Sequence, residues 1–229
     1  MNILVTGASK GIGECIAHSL TGNIFAVGRC KERLKQYKNY LVCDLSKDIE
    51  QLGEYIISNK IDIIINNAGE YIYSETEQLQ LQDIERVTKV NLIAPLYIIS
   101  KALPYMKEQK WGRIINIGSI SGVMGEAGAS VYSATKSGLI GMSKAIALET
   151  ASYNITINTI NPGWVETELG LSSIEDSEFS KTEIIDCIPQ KRFVKPEEIA
   201  GMVKYLISDD AKGVTGQSIN LCAGLSVGC

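Results

Sequence analysis

The first apolar run of this chain leads directly into a glycine-rich turn. Residues 3–5 are apolar, residues 6–13 read TGASKGIG, and a helical pattern follows. Gly7 permits a tight turn, Gly11 allows the backbone to approach a pyrophosphate, and Gly13 lets the helix pack against the strand. The start of the helix offers backbone N–H groups and the positive end of its dipole to phosphates. This turn predicts a dinucleotide site, and the alternative is a strand–helix turn without a ligand. The predicted phosphate-binding residues are Gly7, Ser9, Lys10, Gly11, Ile12 and Gly13.

Short apolar runs alternate with helical patterns along the chain. Residues 61–65 and 114–117 are apolar almost throughout, which is typical of parallel strands covered on both faces. This alternation predicts an α/β fold, with a single doubly wound Rossmann domain over residues 1–229 and a seven-stranded parallel sheet flanked by helices on both faces. The predicted strands are 2–6, 23–28, 40–43, 61–66, 113–118, 156–160 and 218–221. The predicted helices are 12–20, 48–58, 79–109, 131–152 and 196–208.

One segment breaks the regular alternation. Residues 166–189 are polar and rich in Ser and Glu, and they lie between a Pro-Gly turn and the last helical pattern. Long irregular segments inside an α/β domain are often lids over a binding site. We predict a lid here, and a disordered loop is the alternative.

Composition narrows the range of partners. The chain has 22 Lys and Arg against 26 Asp and Glu, and this net charge of −4 argues against non-specific binding to nucleic acid or anionic membranes. No run approaches the ~18 apolar residues of a membrane span, and no leader pattern precedes the first strand, so we expect a cytoplasmic protein. With six Cys in no C-x-x-C pair and one His, His18, we expect no metal site.

A tyrosine and a lysine share one helical face. Tyr132 and Lys136 are four residues apart at the start of a predicted helix, so both side chains can point into one cleft. A nearby ammonium favours the phenolate, and we expect Lys136 to lower the pKa of Tyr132. A phenol of that kind can donate or accept a proton near neutral pH. Ser119 follows the buried run 114–117, at the strand edge where α/β sheets bind ligands.

The end of the second strand predicts the cofactor. Dinucleotide sites for NAD usually carry an acid there, which holds the ribose 2′-hydroxyl. This chain has Val27, Gly28 and Arg29 instead, and Lys10 lies in the glycine loop. Two cations beside the ribose suit a 2′-phosphate, so we predict NADP(H). The alternative is that both are solvated surface charges.

These motifs together resemble the classical short-chain dehydrogenase/reductases. The resemblance extends over the whole chain. It rests on the glycine loop at 6–13, NNAG at 66–69, Asn91, Ser119, the Tyr132 and Lys136 pair, and NPG at 161–163 followed by Thr167. Within the family, residues 112–167, 189–211 and 213–224 are most similar to bacterial 3-oxoacyl-acyl-carrier-protein reductases.

The resemblance implies a role for each site residue. Tyr132 would protonate the carbonyl oxygen as hydride arrives, and Lys136 would hold the nicotinamide ribose and lower the tyrosine pKa. Ser119 would hydrogen-bond the substrate oxygen, and Asn91 would anchor a water linked to Lys136. The resemblance also implies that Asp44 meets the adenine, that Asn67, Ala68 and Gly69 line the adenosine ribose side, and that Val165 and Thr167 contact the carboxamide. Further implied cofactor-binding residues are Leu45, Pro162 and Gly163.

The implied activity is NADPH-dependent reduction of a carbonyl to an alcohol, most closely that of a 3-oxoacyl thioester carried by acyl carrier protein or CoA. A sugar, polyol or steroid dehydrogenase is the alternative enzyme, and a non-catalytic NAD(P)-sensing protein is the alternative class. Tyr71, Tyr73, Met124 and Trp164 are candidates for the substrate pocket, with packing as the alternative role.

The resemblance also implies partners. It implies a homotetramer, or a homodimer, with the helices at 79–109 and 131–152 in an interface. Acyl carrier protein is a possible partner whose docking the sequence leaves open. Relatives often carry a basic residue shortly after the Thr167 position, whereas this chain has Leu169-Gly170-Leu171. Lys107, Lys110 and Arg113 are the candidate basic rim for it, and a solvated helix end is the alternative.

Overall fold

A computed structural model describes residues 1–175 and 180–228 of the chain. Seven strands form one sheet in the order β3-β2-β1-β4-β5-β6-β7, and every neighbouring pair is parallel. The strand order reverses between β1 and β4, and a crevice forms at such a point outside the carboxyl ends of the strands. The strands are β1 (Asn2–Thr6), β2 (Asn23–Gly28), β3 (Asn39–Val42), β4 (Ile63–Asn66), β5 (Gly112–Ile117), β6 (Ile155–Pro162) and β7 (Ser218–Leu221).

Helices cover both faces of the sheet. The helices are α1 (Gly11–Ser19), α2 (Lys31–Leu34), α3 (Ile49–Asn59), α4 (Leu81–Thr88), α5 (Ala94–Gln109), α6 (Ser121–Met124), α7 (Ser130–Thr150), α8 (Glu168–Glu175), α9 (Lys181–Cys187) and α10 (Pro196–Ile207). One apolar core lies under α1 and α10, where Ile16 and Val203 are buried, and the other lies under α3, α5 and α7, where Leu52 and Ile98 are buried. The predicted doubly wound α/β class is confirmed.

The predicted elements exist, but several boundaries were wrong. Strands β1, β2 and β7 have the predicted bounds, whereas β4 starts two residues later than predicted and β6 continues to Pro162. Residues 61 and 62 belong to the same run of the sequence but not to β4, because pairing with β1 begins at Ile63. The apolar pattern alone does not show where that pairing begins. The short helices α2, α6, α8 and α9 were not predicted, since a helix of one or two turns leaves little periodicity in a sequence.

The predicted helix over 79–109 is interrupted. Helix α4 ends at Thr88, and a π-helical segment, Lys89–Ile93, joins it to α5. In this segment the backbone N–H of Ala94 donates to the carbonyl of Lys89, five residues earlier. Such π turns are frequent at functional sites, and this one contains the buried Asn91.

The predicted basic rim is wrong for Arg113. Its side chain is only 1% exposed and donates to the carbonyls of Gly112 and Asn154. Arg113 is the second residue of β5, so it lies at the amino edge of the sheet, opposite the edge where the crevice opens. A guanidinium held in this way stabilises the loop at Asn154 and presents no charge to a carrier protein.

Candidate active site

One large cavity lies at the carboxyl edge of the sheet. Its volume is about 1170 Å³, enough for a dinucleotide and a substrate. The glycine loop forms one wall, with Gly7 at φ +68° and Gly11 at φ +59°. A Cβ on Gly13 would lie 2.3 Å from the carbonyl oxygen of Gly7, so only glycine allows α1 to start so close to β1. This glycine cradle and the cavity fit a pyrophosphate-linked dinucleotide.

Most of the predicted site residues meet in this cavity. Those that line it are Gly7, Ser9, Lys10, Gly11, Ile12, Arg29, Asp44, Leu45, Asn67, Ala68, Gly69, Ser119, Tyr132, Lys136, Pro162, Gly163, Val165 and Thr167. The four pocket candidates Tyr71, Tyr73, Met124 and Trp164 line it as well. Two predicted residues, Gly13 and Asn91, are not part of its wall. Gly13 packs behind the loop against Gly7, and Asn91 is buried at 1% exposure.

Ser119, Tyr132 and Lys136 form a compact group. Ser119 lies just beyond β5, and Tyr132 and Lys136 project from the first turns of α7. Ser119 is close enough to the Tyr132 phenol to lower its pKa. The Lys136 Nζ lies 5.5 Å from the centre of the Tyr132 ring and donates to the carbonyl oxygen of Ile117 at 2.8 Å. A carbonyl placed in the cavity would therefore meet a hydroxyl, a phenol and a buried ammonium on one side.

The electrostatics of this group correct one expectation. Burial raises the pKa of Tyr132 to about 12, although the hydrogen bond with Ser119 lowers it, and the carboxylate of Glu126 adds to the rise. Burial lowers the pKa of Lys136 to about 8. The pKa of Tyr132 thus lies above its ordinary value, contrary to the prediction that Lys136 lowers it, because desolvation of the phenol dominates. Tyr132 is therefore a stable proton donor at neutral pH.

The buried Lys136 predicts a pH-dependent stability. Its pKa falls from 10.5 in the unfolded chain to about 8 in the folded one, so the unfolded chain binds the extra proton between these values. The cost of burying the ammonium is absent above pH 10.5 and complete below pH 8. We therefore compare the unfolding free energy of Lys136→Met with that of wild type. As the pH falls from 10.5 to 8, we expect the value for Lys136→Met minus the value for wild type to rise by roughly 3 kcal/mol.

Urea unfolding of both proteins over this pH range measures that gain. The comparison does not depend on the contacts that methionine loses, because these shift the free energy equally at every pH. A difference between the two proteins that stays constant with pH would show that Lys136 is not desolvated.

Asn91 organises the floor of the site. Its Oδ1 accepts from the backbone N–H of Glu70 at 2.8 Å, and its Nδ2 donates to the Glu70 carbonyl at 2.8 Å and to Thr135 Oγ1 at 3.2 Å. Asn91 thereby joins the π segment to the loop after β4 and to α7, next to Lys136. The predicted water between Asn91 and Lys136 stays a prediction.

The two predicted phosphate-binding cations already have partners. Arg29 pairs with Glu70 at 2.9 Å, and Lys10 pairs with Glu168 at 2.9 Å. Arg86 also pairs with Glu70, whose side chain is 12% exposed. The sequence does not indicate these ion pairs, since both carboxylates come from distant parts of the chain. The role of Arg29 and Lys10 toward a 2′-phosphate stays a prediction. Arg29 itself is 67% exposed at the cavity wall, and it keeps further N–H donors that can face a phosphate.

Asp44 lines the cavity at the end near Arg29. Its Oδ1 accepts from the backbone N–H and the hydroxyl of Ser46, at 3.0 and 2.7 Å. These bonds, with the charges of Lys47 and Arg29, lower the pKa of Asp44 against the opposing effect of burial. The carboxylate is thus ionised and fixed in direction at this end of the cavity.

The part of the predicted lid that the structure describes contains the two helices α8 and α9. Thr167 packs near Gly11, its Cγ2 being 3.5 Å from the place of a Cβ there, and α8 follows with Glu168 beside Lys10 and Arg33. Helix α9 begins at a Ser180 capping box with Glu183. Residues 176–179, part of the predicted lid, lie outside the described residues. Thr167 and Glu168 of this segment line the cavity beside the glycine loop. The opening and closing of the segment stay a prediction.

Sequence reasoning missed an acidic residue in the cleft. Glu126 accepts from Ser121 Oγ at 2.6 Å and from the Tyr71 hydroxyl at 2.8 Å. An acid in the loop before the tyrosine helix was the available signal, but its spacing matches no motif.

His18 lies away from the cavity, where its Nε2 is 3.0 Å from Gln36 Oε1 and its ring stacks on Tyr37. Within residues 1–175 and 180–228, we find no group of side chains suited to a metal ion and no helix able to cross a bilayer.

Comparison with known proteins gives consistent results. The short chain dehydrogenase family profile matches residues 1–178. The 3-oxoacyl-[acyl-carrier-protein] reductase of Rickettsia felis is 35% identical over 234 residues, which cover 97% of this chain and 95% of that protein. A variant of actinorhodin polyketide ketoreductase, crystallised with NADPH, superposes with a TM-score of 0.92 at 34% identity, over 99% of this chain and 97% of that one. A proposed NAD(P)-dependent gluconate 5-dehydrogenase from Beutenbergia cavernae, with bound NADP, superposes with a TM-score of 0.92 at 29% identity, over 98% and 96%.

Proposed function

Because the chain belongs to the short-chain dehydrogenase family, we propose that it reduces the ketone of 3-oxoacyl thioesters to an alcohol with NADPH. The observation that carries this proposal is the group of Ser119, Tyr132 and Lys136 in one cavity with the glycine cradle. Tyr132 is partly buried, and it lines the cavity together with Ser119 and Lys136. A phenol in this position can donate its proton to a carbonyl oxygen.

The proposed reaction balances one hydride and one proton. NADPH supplies the hydride to the carbonyl carbon when it is bound. Tyr132 donates its proton to the carbonyl oxygen, and Ser119 exchanges its hydrogen bond to Ser121 for one to the same oxygen. Lys136, whose pKa is about 8 in the free protein, carries a positive charge near neutral pH and stabilises the phenolate that remains. Asn91 holds the floor behind these groups and is a positioning residue.

The cofactor residues are proposed from their place in the cavity. The glycine loop and the start of α1 would hold the pyrophosphate, and Arg29 with Lys10 would face the 2′-phosphate. Asp44 and Leu45 would meet the adenine. We propose contacts to the rest of the cofactor from Asn67, Ala68, Gly69, Pro162, Gly163, Val165 and Thr167.

The substrate class rests on similarity over nearly the whole chain. At 35% identity the relatives named as 3-oxoacyl-[acyl-carrier-protein] reductases support a thioester substrate. The gluconate 5-dehydrogenase likeness favours a sugar substrate as the second candidate. An assay of NADPH oxidation with acetoacetyl-CoA, acetoacetyl-acyl carrier protein, keto sugars and steroid ketones tests both. We expect turnover of the two thioesters. Turnover of a sugar or steroid alone would contradict the proposal, and binding of NADPH without any turnover would favour a sensor.

We also propose how the chain assembles. One sheet contains strands from both ends of the described chain, so residues 1–229 are proposed to form one domain. Helices α5 and α7 are proposed to lie in the interfaces of a homotetramer, with a homodimer as the alternative. Apolar side chains are exposed on and beside them, with Leu148 88%, Ile93 49% and Leu96 48% exposed. A cytoplasmic location stays a prediction.

Charging this surface is expected to break the assembly. Leu148→Glu would bring a carboxylate into each α7 contact, where an unpaired buried charge is costly. We expect light scattering after size-exclusion chromatography to give a tetramer for wild type and a smaller species for the variant. Ile57→Glu is the matched control, because Ile57 is 58% exposed on α3, outside the proposed interface. A monomeric wild type would contradict the assembly.

A further inference from the structure

Glu126 presents a carboxylate inside the substrate end of the cavity. It lies in the loop between α6 and α7 and lines the cavity. Each carboxylate oxygen is held by one hydroxyl: Oε2 accepts from Ser121 at 2.6 Å, and Oε1 accepts from Tyr71 at 2.8 Å. Ser121 is 7% exposed, so one of the two donors is fixed in the protein interior. The carboxylate therefore has a defined position in the cleft.

The same network reaches the reacting groups. A carboxylate only accepts hydrogen bonds, so Ser121 donates to Glu126 and accepts from the Ser119 hydroxyl at 3.1 Å. Tyr71 meets Tyr132 edge to face, with ring centres 5.1 Å apart and planes at 72°. The Glu126 carboxylate is thus two hydrogen bonds from Ser119, next to the place where the substrate carbonyl would lie.

No cation neutralises this carboxylate. Within the part of the chain that the structure describes, no Lys, Arg or His forms an ion pair with Glu126. Two other carboxylates that line the cavity, Glu70 and Glu168, are paired with arginine or lysine. Lys136 is directed to the carbonyl of Ile117. The raised pKa of Tyr132, to which Glu126 contributes, agrees with an uncompensated negative charge beside the phenol.

We infer that Glu126, held by Tyr71 and Ser121, is a specificity-determining residue that rejects substrates with a carboxylate close to the reacting carbonyl and accepts neutral or cationic ones. This inference deepens the proposed function, on which it rests. Two like charges placed together in a partly desolvated pocket repel strongly, and proteins use such repulsion to exclude wrong ligands.

The subsite separates a thioester from the free acid of the same 3-oxo compound. A 3-oxoacyl thioester has a neutral carbonyl group one methylene away from its ketone. The free 3-oxo acid carries a carboxylate at that position at neutral pH, and the Glu126 carboxylate would oppose it. The charge at Glu126 therefore favours the thioester over the free acid.

A matched pair of ligands tests the inference. Acetoacetate and its methyl ester carry the same ketone and differ in the charge beside it. Their dissociation constants are measured by calorimetry on the complex of the protein with NADP⁺, so the readout needs no turnover. We expect wild type to bind the ester at least about tenfold more tightly than the anion. In Glu126→Gln we expect the ratio to fall below about threefold, because the anion binds more tightly.

Controls distinguish a local effect from a general one. Glu75→Gln removes an exposed carboxylate at the mouth of the same cavity and should keep the wild-type ratio. Glu126→Ala is the second variant if the amide disturbs the network, and it should reduce the ratio as well. An equal ratio in wild type and both Glu126 variants, or an equal loss in Glu75→Gln, would overturn the inference. The proposed function fails separately, if wild type consumes no NADPH with any 3-oxoacyl thioester.

Discussion

Replacing Tyr132 with Phe is expected to lower kcat by about 10²–10⁴-fold, the usual contribution of general acid catalysis. The substitution keeps the ring that packs against Tyr71 and removes the hydroxyl that would donate the proton. The affinity for NADPH should change little, since the phenol hydroxyl is turned to Ser119 and the substrate space. Stopped-flow rates with acetoacetyl-CoA and fluorescence titration of NADPH measure the two quantities.

Tyr73→Phe is the matched control for this variant. Tyr73 lines the same cavity and is 37% exposed, but the structure places it beside Gly128, not beside Ser119. Its loss of a hydroxyl should leave kcat within a few-fold of wild type. A Tyr132→Phe enzyme that keeps most of its turnover would show that another group supplies the proton.

Replacing Arg29 with Asp is expected to reverse the cofactor preference. Each charge-assisted hydrogen bond to the 2′-phosphate is worth roughly 1.5–3 kcal/mol, and solvent places these at the lower end. Two such bonds, from Arg29 and Lys10, give wild type a preference for NADPH of about 10²-fold in kcat/KM. We expect the ion pair with Glu70 not to prevent this, because Arg86 also pairs with Glu70 and would still hold that carboxylate if Arg29 turned to a phosphate. Aspartate would remove the attraction and add repulsion.

The measurement is kcat/KM for NADPH and NADH with one ketone. Lys35→Asp is the control, because it makes the same charge change at an exposed lysine outside the cavity, paired with Glu32. The control should keep the preference of wild type. Equal values for the two cofactors in wild type would mean that Arg29 and Lys10 serve only their carboxylate partners.

Local sequence patterns were sufficient for much of this site. The glycine loop, the bounds of β1 and β2, and the shared face of Tyr132 and Lys136 depend on residues at most a few positions apart. In a doubly wound fold, the carboxyl ends of the strands then bring these segments to one edge. The gathering of the predicted residues around one cavity follows from that topology.

The features that were missed depend on tertiary contacts. Arg29 meets Glu70, 41 residues away, and Lys10 meets Glu168, 158 residues away, and no spacing rule connects such pairs. Desolvation decides the pKa of Tyr132, and burial of a side chain is not visible in a spacing of four residues. Glu126 belongs to the site only because Ser121 and Tyr71 converge on it from different segments.

Isotope labelling shows whether the protein transfers a hydride from NADPH to a 3-oxoacyl thioester. The protein is incubated with acetoacetyl-CoA and NADPH that carries deuterium at its transferable position, and the product is analysed by mass spectrometry and NMR. We expect 3-hydroxybutyryl-CoA with one deuterium on the former carbonyl carbon, formed by wild type and nearly absent with Tyr132→Phe. Bound NADPH with no labelled 3-hydroxyacyl product from wild type would contradict the proposed function.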